Sequence, residues 1–260
     1  IQQGLETAKD VPATLTDKLL SLRTGQRTTS FTTKGAGDGI QKGAVAARDV
    51  MRYGYDPENT ISKFDIKQIN WGKNPAEQAL KKYTDFVFRT LGAEDKVFWN
   101  ASYGRSLYDQ AGAKAINMGK KGDSAFIQDL VKNATEEMKT IATKDANVAT
   151  FKGESTLSGL ANAFKRWAGQ HWYTKLPAEV LAPFTGVPSA IVGQTIAYSP
   201  IGLIKGAVSA GKVLKSGVPE LQRQAAQEIG RGTMGTALFA LGGYLMGKGL
   251  MTGQPKDINE

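Results

Sequence analysis

The chain has 260 residues, of which 41% are hydrophobic and 22% are charged, enough to build a sizeable core in one large or two modest domains. This composition is typical of a soluble protein rather than of a polytopic membrane protein. The 33 basic and 24 acidic residues leave a net charge of +9, which favours an anionic partner: nucleic acid, an acidic membrane surface or an acidic protein. The chain contains no cysteine, which excludes disulfides, thiolate metal sites and a cysteine nucleophile.

The N-terminal part of the chain predicts two helices with a linker between them. In Val11–Arg23 the leucines recur at helical spacing, which indicates a short helix. Thr24–Gly39 is rich in Thr, Ser and Gly, so we expect a linker, or an arm that orders only against a partner. Asp38 is placed to cap a second helix, Gly39–Arg52. The predicted apolar faces consist of Leu15, Leu19 and Leu22 in the first helix, and of Ile40, Ala44, Ala47 and Met51 in the second.

A third helix is predicted from its start signals. Asn74 is a good cap residue and Pro75 then occupies the first helical position. Gly92 stands where a glycine commonly ends a helix. The stretch before this helix, Asp56–Gly72, is too short and mixed in character to assign. The residues that we expect to be buried in the third helix are Leu80, Tyr83, Phe86, Val87 and Leu91.

Two further helices complete an α-helical domain that extends to about residue 150. The first covers Ala93–Met118 and is ended by Gly119–Gly122. Asp123 or Ser124 caps the second, which continues to about Thr143. The predicted inward positions are Val97, Phe98, Ala101, Arg105, Tyr108, Ala111 and Ala115 in one helix, and Phe126, Ile127, Leu130, Val131, Ala134, Met138 and Ile141 in the other.

Beyond residue 150 the sequence becomes aromatic and basic. Leu157, Leu160 and Phe164 continue to two tryptophans at helical spacing, with basic residues on the polar side. Aromatic rings beside cations suit a membrane interface, where the ring lies among headgroups and the cation meets lipid phosphate. The alternative is that the tryptophans anchor this helix to the protein core. The predicted interfacial residues are Lys165, Arg166, Trp167, Trp172 and Tyr173.

Two uncharged, glycine-rich stretches dominate the C-terminal half. Val180–Ile204 is long enough for a bilayer span of roughly 20 residues, but Pro188 and Pro200 break it into short helices. Gly232–Gly247 is shorter and is flanked by basic residues. Small residues four apart let helices approach closely, and the predicted contact positions are Gly202, Gly206, Gly243 and Gly247.

The spacing leaves three interpretations of these stretches open. They are hydrophobic hairpins hidden in an assembly and later released into a membrane, or a permanent membrane anchor, or the core of an ordinary helical domain. The predicted fold class is all-α: a multi-helix assembly with apolar, Gly/Pro-rich helical hairpins in the C-terminal half. The predicted divisions are 1–35 (short helix and flexible arm), 36–150 (amphipathic helical domain) and 151–260 (aromatic-basic helix plus apolar helices).

No catalytic or metal-binding pattern is present in the sequence. His171 is the only histidine, so a histidine-based triad set or a multi-histidine metal site cannot form within this chain. Gly35–Gly39 lacks the glycine spacing of a nucleotide-binding loop and predicts a flexible entry to a helix. We therefore expect no enzyme activity and no cofactor. The acidic residues of the helix after Gly122, expected on solvent faces, are Asp123, Asp129, Glu136 and Glu137.

Three segments in order resemble the C-terminal helical region of large polyvalent proteins of tailed phages. Leu91–Ala115 combines an acidic and aromatic opening with an alanine-spaced helix. Leu181–Ile204 has a Pro-Phe pair, a second proline and an apolar run that ends in Ser-Pro. Gly230–Gly253 contains Arg-Gly-Thr-Met-Gly-Thr-Ala-Leu and then Leu-Gly-Gly-Tyr. In podovirus-like phages, similar chains are internal virion or ejection proteins.

The resemblance implies a protein of the virion interior that forms a homo-oligomer near the portal, beside the portal or other ejection proteins. After ejection it would reach the host cell envelope and help DNA to cross it, with DNA backbone or the host membrane as its anionic partner. The relatives are far longer and the first residue is isoleucine, so we expect a processed chain or an ordered piece of a longer protein. The alternatives are an injected polyvalent protein, whose helical region is a scaffold for enzymatic modules in the host cytoplasm, and a bacterial protein anchored by Gly232–Met251.

Overall fold

The structure is a computed structural model that describes residues 8–32, 34–53, 74–150 and 193–250. All regular secondary structure in these ranges is helical, with no strand, so the prediction of an all-α fold is confirmed. A short helical stretch at 193–197 precedes the last two long helices. The helices are α1 (Asp10–Thr24), α2 (Lys34–Tyr53), α3 (Pro75–Asn117), α4 (Ser124–Lys132), α5 (Glu136–Ala149), α6 (Pro200–Ser216) and α7 (Pro219–Gly247).

The described residues form two compact units. The first combines α1 and residues 25–31 with residues 116–119 and the described chain from Gln194 onward. The second contains α2, α3 as far as Ala115, α4 and α5. This division differs from the predicted boundaries at residues 35 and 150, because α1 packs on helices from the far end of the sequence. Leu20 of α1 shares a buried apolar cluster with Val213 of α6 and Ala225 of α7.

Helix α1 forms where predicted, but it buries the opposite face. The leucines that mark its apolar stripe point outward, and Leu22 is 85% exposed. The inward face instead carries Ala13, Asp17 and Leu20. At Ala13 the physical reason is the close approach of α7, where Gly230 lies against this residue and leaves no room for a larger side chain at that position. The prediction for this face was therefore wrong. The exposed leucines are Leu15, Leu19 and Leu22.

Residues 26–29 are held by side chains of the first unit, so the prediction of a linker over Thr24–Gly39 was wrong. Asp17 accepts hydrogen bonds from the Arg27 Nε (2.6 Å) and the Thr28 backbone nitrogen (3.1 Å), and the Thr28 hydroxyl donates to it as well. Thr29 is buried. The final part of the predicted linker is helical, since α2 begins at Lys34.

In the second unit, α2 and α3 pack backbone to backbone through glycines. A methyl group placed on Gly35 or Gly39 would lie closer than 3.0 Å to the backbone of Gly104 or Asn100, respectively. Gly43 meets Val97 in the same way. Since these contacts pair rising numbers in one helix with falling numbers in the other, the two helices run antiparallel. Gly35–Gly39 is thus a helix-packing surface, and its prediction as a flexible entry was wrong.

The face of α2 that packs on α3 is the glycine face and not the predicted apolar stripe. Ile40 and Met51 are exposed, whereas Val50 is buried. Close contact between two helix backbones requires residues without side chains, so the glycines decide which face turns inward. The larger apolar residues are therefore displaced from the contact.

Helix α3 is a single helix of 43 residues, or about 65 Å at 1.5 Å per residue. The prediction that Gly92 ends a helix was wrong, because Gly92 lies inside α3 and a methyl group there would touch Val50 at an ordinary 3.6 Å. The predicted start at Pro75 is confirmed. Of the predicted inward residues, those buried are Ala101, Arg105, Tyr108, Ala111 and Ala115, whereas Tyr83, Phe86 and Phe98 are exposed.

The helix predicted after Gly122 is two helices, α4 and α5. Asp123 caps α4 as predicted, accepting from the Phe126 backbone nitrogen at 2.9 Å. Thr135 caps α5, accepting from the Met138 backbone nitrogen at 3.3 Å, and this second cap interrupts the helix. The break lets both helices contribute to one core. Its buried members are Leu107, Ala111, Met138 and Ala142, with Tyr103, Ile127, Leu130, Val131 and Ala134 packed against them.

A buried tyrosine joins α2 and α3. The Tyr108 hydroxyl donates a hydrogen bond to Asp38 Oδ2 at 2.6 Å. Burial, the hydrogen bond to Asp38 and the negative charge of that carboxylate together raise the pKa of Tyr108 to about 12 from an ordinary 10.0. Asp38 therefore binds a side chain of the neighbouring helix, from a position inside α2 rather than at its start.

The raised pKa of Tyr108 predicts a loss of stability at alkaline pH. Because the folded state holds the phenol neutral, its contribution is complete below pH 10.0 and declines as the pH rises toward 12, where the unfolded chain ionises first. Urea unfolding of the wild type and of Tyr108→Phe, measured across this range, should show the wild type losing stability relative to the variant. Parallel curves for the two proteins would contradict the expectation.

Candidate interaction surface

The helices α6 and α7 form a hairpin whose ends are set by local sequence. Ser199 caps α6, accepting from the Ile201 backbone nitrogen at 3.2 Å, and Pro200 takes the first helical position. Gly217 then ends α6 at a φ of 69°, a left-handed conformation that favours glycine. Pro219 starts α7 directly afterwards. The short connection makes the two helices antiparallel neighbours.

Small residues bring the two helices of the hairpin into backbone contact. A methyl group added at Gly206 would lie 2.7 Å from the Ile229 backbone nitrogen. One added at Gly232 would lie closer than 3.0 Å to the backbone of Leu203. Gly235 approaches the backbone of Tyr198 equally closely. The hairpin therefore has a tight seam in which backbone, rather than large apolar side chains, makes the contact.

A charged cluster at Glu228 adds polar contacts to this seam. Its carboxylate accepts hydrogen bonds from Ser209 (2.5 Å) and Gln224 (3.1 Å), and Lys205 lies 3.2 Å away. Burial opposes ionisation of Glu228, but the two hydrogen bonds and the charge of Lys205 outweigh it and hold the pKa of the carboxyl below its ordinary value. The cluster thus links α6 to α7 most strongly when Glu228 is ionised.

Helix α1 is attached to α7 by a buried polar network. Gln222 is completely buried, and its Nε2 donates to Asp17 Oδ1 (2.7 Å) and to the Gln26 carbonyl (3.0 Å). Its Oε1 accepts from the Thr24 hydroxyl. At the other end of α1, Lys9 Nζ donates to Gln227 Oε1 at 2.6 Å. These contacts attach both ends of α1 to α7.

The last turns of α7 leave this packed region as an apolar helix end. Over Ala237–Leu241 every side chain is exposed, and Phe239 is 76% exposed. At 100° per residue the large apolar side chains point to several sides of the helix, so no single face is polar. We call this segment the apolar end, and its members are Leu238, Phe239, Leu241, Tyr244 and Met246.

The structure separates the two predicted pairs of contact glycines. Gly202 and Gly206 are buried on the inward side of α6. Gly243 and Gly247 lie in or beside the apolar end, where a methyl group would meet no atom within 4 Å in the part of the chain that the structure describes. The predicted interfacial residues Lys165, Arg166, Trp167, Trp172 and Tyr173 lie outside the described residues.

Several residues that form the seam and the network were not predicted. Gly232 and Gly235 were included only in an apolar glycine-rich stretch and Gly230 only in a segment that carries the resemblance, although small residues at these positions were available as a signal for close helix packing. Asp17 and Gln222 carried no local signal, since each resembles an ordinary exposed polar residue of a helix. Their function in the fold depends on a partner about 200 residues away.

The described residues contain no group of three His, Asp or Glu side chains that could hold a metal ion. Among the helices in these ranges, none is both long and apolar enough to cross a bilayer. The sequence matches no protein-family model, no curated protein and no solved structure. The large exposed side chains at the apolar end of α7 suggest an interaction surface.

Proposed function

We propose that the chain is an internal virion protein of a tailed phage, or a segment of one, that assembles with copies of itself through the apolar end of α7. After ejection, the assembly helps DNA to cross the host envelope. The observation that carries the assembly step is the exposure of this apolar segment on a chain with a soluble composition. An exposed apolar patch of this kind typically marks an interaction site.

Burial of the apolar end would supply substantial binding energy. Complete burial of one large apolar side chain contributes about 1.5–3 kcal/mol, and five such residues are exposed here. The segment carries no charge between Arg231 and Lys248, so association of two copies brings no like charges together inside that segment. The segment continues directly from the packed part of the hairpin, which fixes its position before binding. The conformational entropy lost on binding is therefore smaller.

The virion setting is supported by the resemblance of three segments to phage polyvalent proteins and by the net charge of +9. A basic helical protein can neutralise DNA phosphates in the capsid and anionic lipids at the envelope. The described helices contribute a further property, an exposed apolar surface that could contact other proteins or lipid. Partners would be other copies of the chain, together with the portal or other ejection proteins.

Two measurements test the proposal. Mass spectrometry of purified, washed phage particles should detect peptides of this chain at several copies per particle. Sedimentation velocity of the full chain should show oligomers that Phe239→Glu dissociates, while Ile204→Glu on the outward face of α6 leaves them intact. Ile204 is a matched control because it is an apolar residue of the same unit with similar exposure.

Absence of the peptides from particles, with their presence in infected cells, would replace the virion assignment with the cytoplasmic scaffold. Peptides in uninfected cells would favour the anchored bacterial protein. A monomeric wild type would overturn the assembly step. These outcomes distinguish where the protein acts from how it assembles.

A further inference from the structure

The outward face of α1 carries a second exposed apolar surface, separate from the apolar end of α7. Its residues follow helical spacing of four, four and three, which places them on one side of the helix. This side is opposite the face that packs on α7, where Ala13, Asp17 and Leu20 are buried. We call this surface the leucine stripe, and its members are Val11, Leu15, Leu19 and Leu22.

The charges of α1 are divided between its two faces. Both acidic residues, Asp10 and Asp17, are buried against the rest of the unit. Lys18 and Arg23 are exposed, and at 100° per residue they lie on opposite flanks of the leucine stripe. The outward surface of α1 therefore combines large apolar side chains with positive charge and has no carboxylate.

We propose that the leucine stripe docks α1 flat on an anionic lipid bilayer. In this orientation the leucines enter the boundary between headgroups and acyl chains, and Lys18 and Arg23 contact lipid phosphates on either side. An apolar stripe with flanking cations is the surface that an in-plane interfacial helix requires. A helix of 15 residues extends about 22 Å along the membrane surface.

The charges favour a bilayer over the other partners that an apolar stripe could take. If two copies met through this face, the flanking Lys18 and Arg23 would approach only other cations, because the face offers no carboxylate. Nucleic acid supplies phosphates but no apolar interior for three leucines. An anionic bilayer supplies both, so it is complementary to the whole surface.

The packing of α1 prepares the stripe for binding. Gln222 and Asp17 hold the inward face through buried hydrogen bonds, and Arg23 Nε donates to the Leu214 carbonyl at 3.2 Å. The helix is therefore already formed and its flanking guanidinium is already placed. Unlike an amphipathic peptide that folds on the membrane, α1 loses little conformational freedom when it docks.

Flotation of the full chain with lipid vesicles tests the proposal. We expect binding to vesicles of mixed phosphatidylcholine and phosphatidylglycerol, weaker binding at high salt, and little binding to pure phosphatidylcholine. The double variant Leu15→Ser/Leu19→Ser should bind about tenfold more weakly. Since both leucines are exposed, its helical circular dichroism and thermal unfolding should match the wild type.

The control is Phe239→Glu, which changes the apolar end of α7 and leaves the leucine stripe intact. We expect it to retain binding to the mixed vesicles in flotation, whatever its effect on assembly. Equal vesicle binding by the wild type and the double leucine variant would overturn the proposal. So would a change in oligomeric state of the leucine variant without any loss of lipid binding. The lipid-docking inference and the assembly step therefore fail independently.

Discussion

Replacing Asp17 with alanine is expected to lower the free energy of unfolding of the first unit by about 3–5 kcal/mol. Asp17 is completely buried and is paired with Arg27, whose side chain is itself largely buried. Removal of the carboxylate would leave the Arg27 guanidinium without its counter-ion and would take from Gln222 its closest acceptor. Loss of one member of a buried ion pair is costly because the other charge stays desolvated.

Urea denaturation followed by circular dichroism measures this effect. Asp49→Ala is the matched control, because Asp49 pairs with Arg48 at an exposed site on α2. Exposed pairs of this kind contribute at most about 1 kcal/mol, so we expect a much smaller change there. Equal changes for the two variants would show that the buried network does not stabilise the unit.

Alanine in place of Gly232 is expected to destabilise the hairpin by about 1–3 kcal/mol, although alanine is the better helix former. The added methyl group would lie closer than 3.0 Å to backbone atoms of Leu203. Backbone cannot rotate away as a flexible side chain can, so α6 and α7 must separate. Their separation would also weaken the polar contacts of Glu228.

Gly243→Ala is the control on the same helix, where the methyl group meets no described atom within 4 Å. Here only the helix preference acts, and we expect stability to rise by up to about 1 kcal/mol. Thermal unfolding of the two variants should therefore shift in opposite directions. A stabilising shift for Gly232→Ala would mean that the seam is looser than the structure indicates.

Helices were predictable from sequence where their signals are local. The proline start of α3, the Asp123 cap of α4 and the break at Pro200 before α6 each involve residues that act within one helical turn. The boundary between α4 and α5 was missed because Thr135, itself a local cap residue, lies inside a continuous apolar periodicity.

The inward faces were harder to predict, for a physical reason. Apolar periodicity identifies the apolar side of a helix, but α2 packs through its glycines and α1 packs through a face that includes Ala13 and Asp17. In α1, Leu15, Leu19 and Leu22 point outward, whereas Ala13 points inward, where Gly230 of α7 approaches closely. The side that a helix buries therefore depends on the shape of its neighbour, which lies far away in the sequence.

The candidate site shows the same limit. Gly202 and Gly206 have the same spacing as Gly243 and Gly247, yet only the first pair lies on a packed face among the described residues. The spacing of small residues shows how closely another helix could approach that face. Only the tertiary structure shows whether another helix packs there. The buried hydrogen bond between Gln222 and Asp17 could likewise not be predicted from the sequence, because the two residues are 205 positions apart.

That separation of Asp17 from Gln222 has a consequence for the order in which the protein folds during translation. The helices of the second unit are consecutive in sequence, so they can pack together as soon as α5 has left the ribosome. The inward face of α1 must wait for α7. At about 5–20 residues per second, synthesis of the chain from Asp17 to Gln222, 205 positions further on, takes on the order of 10 to 40 s. During that interval the residues of α1 lack the contacts with α7 that bury them, so the first unit can close only after α7 has been made.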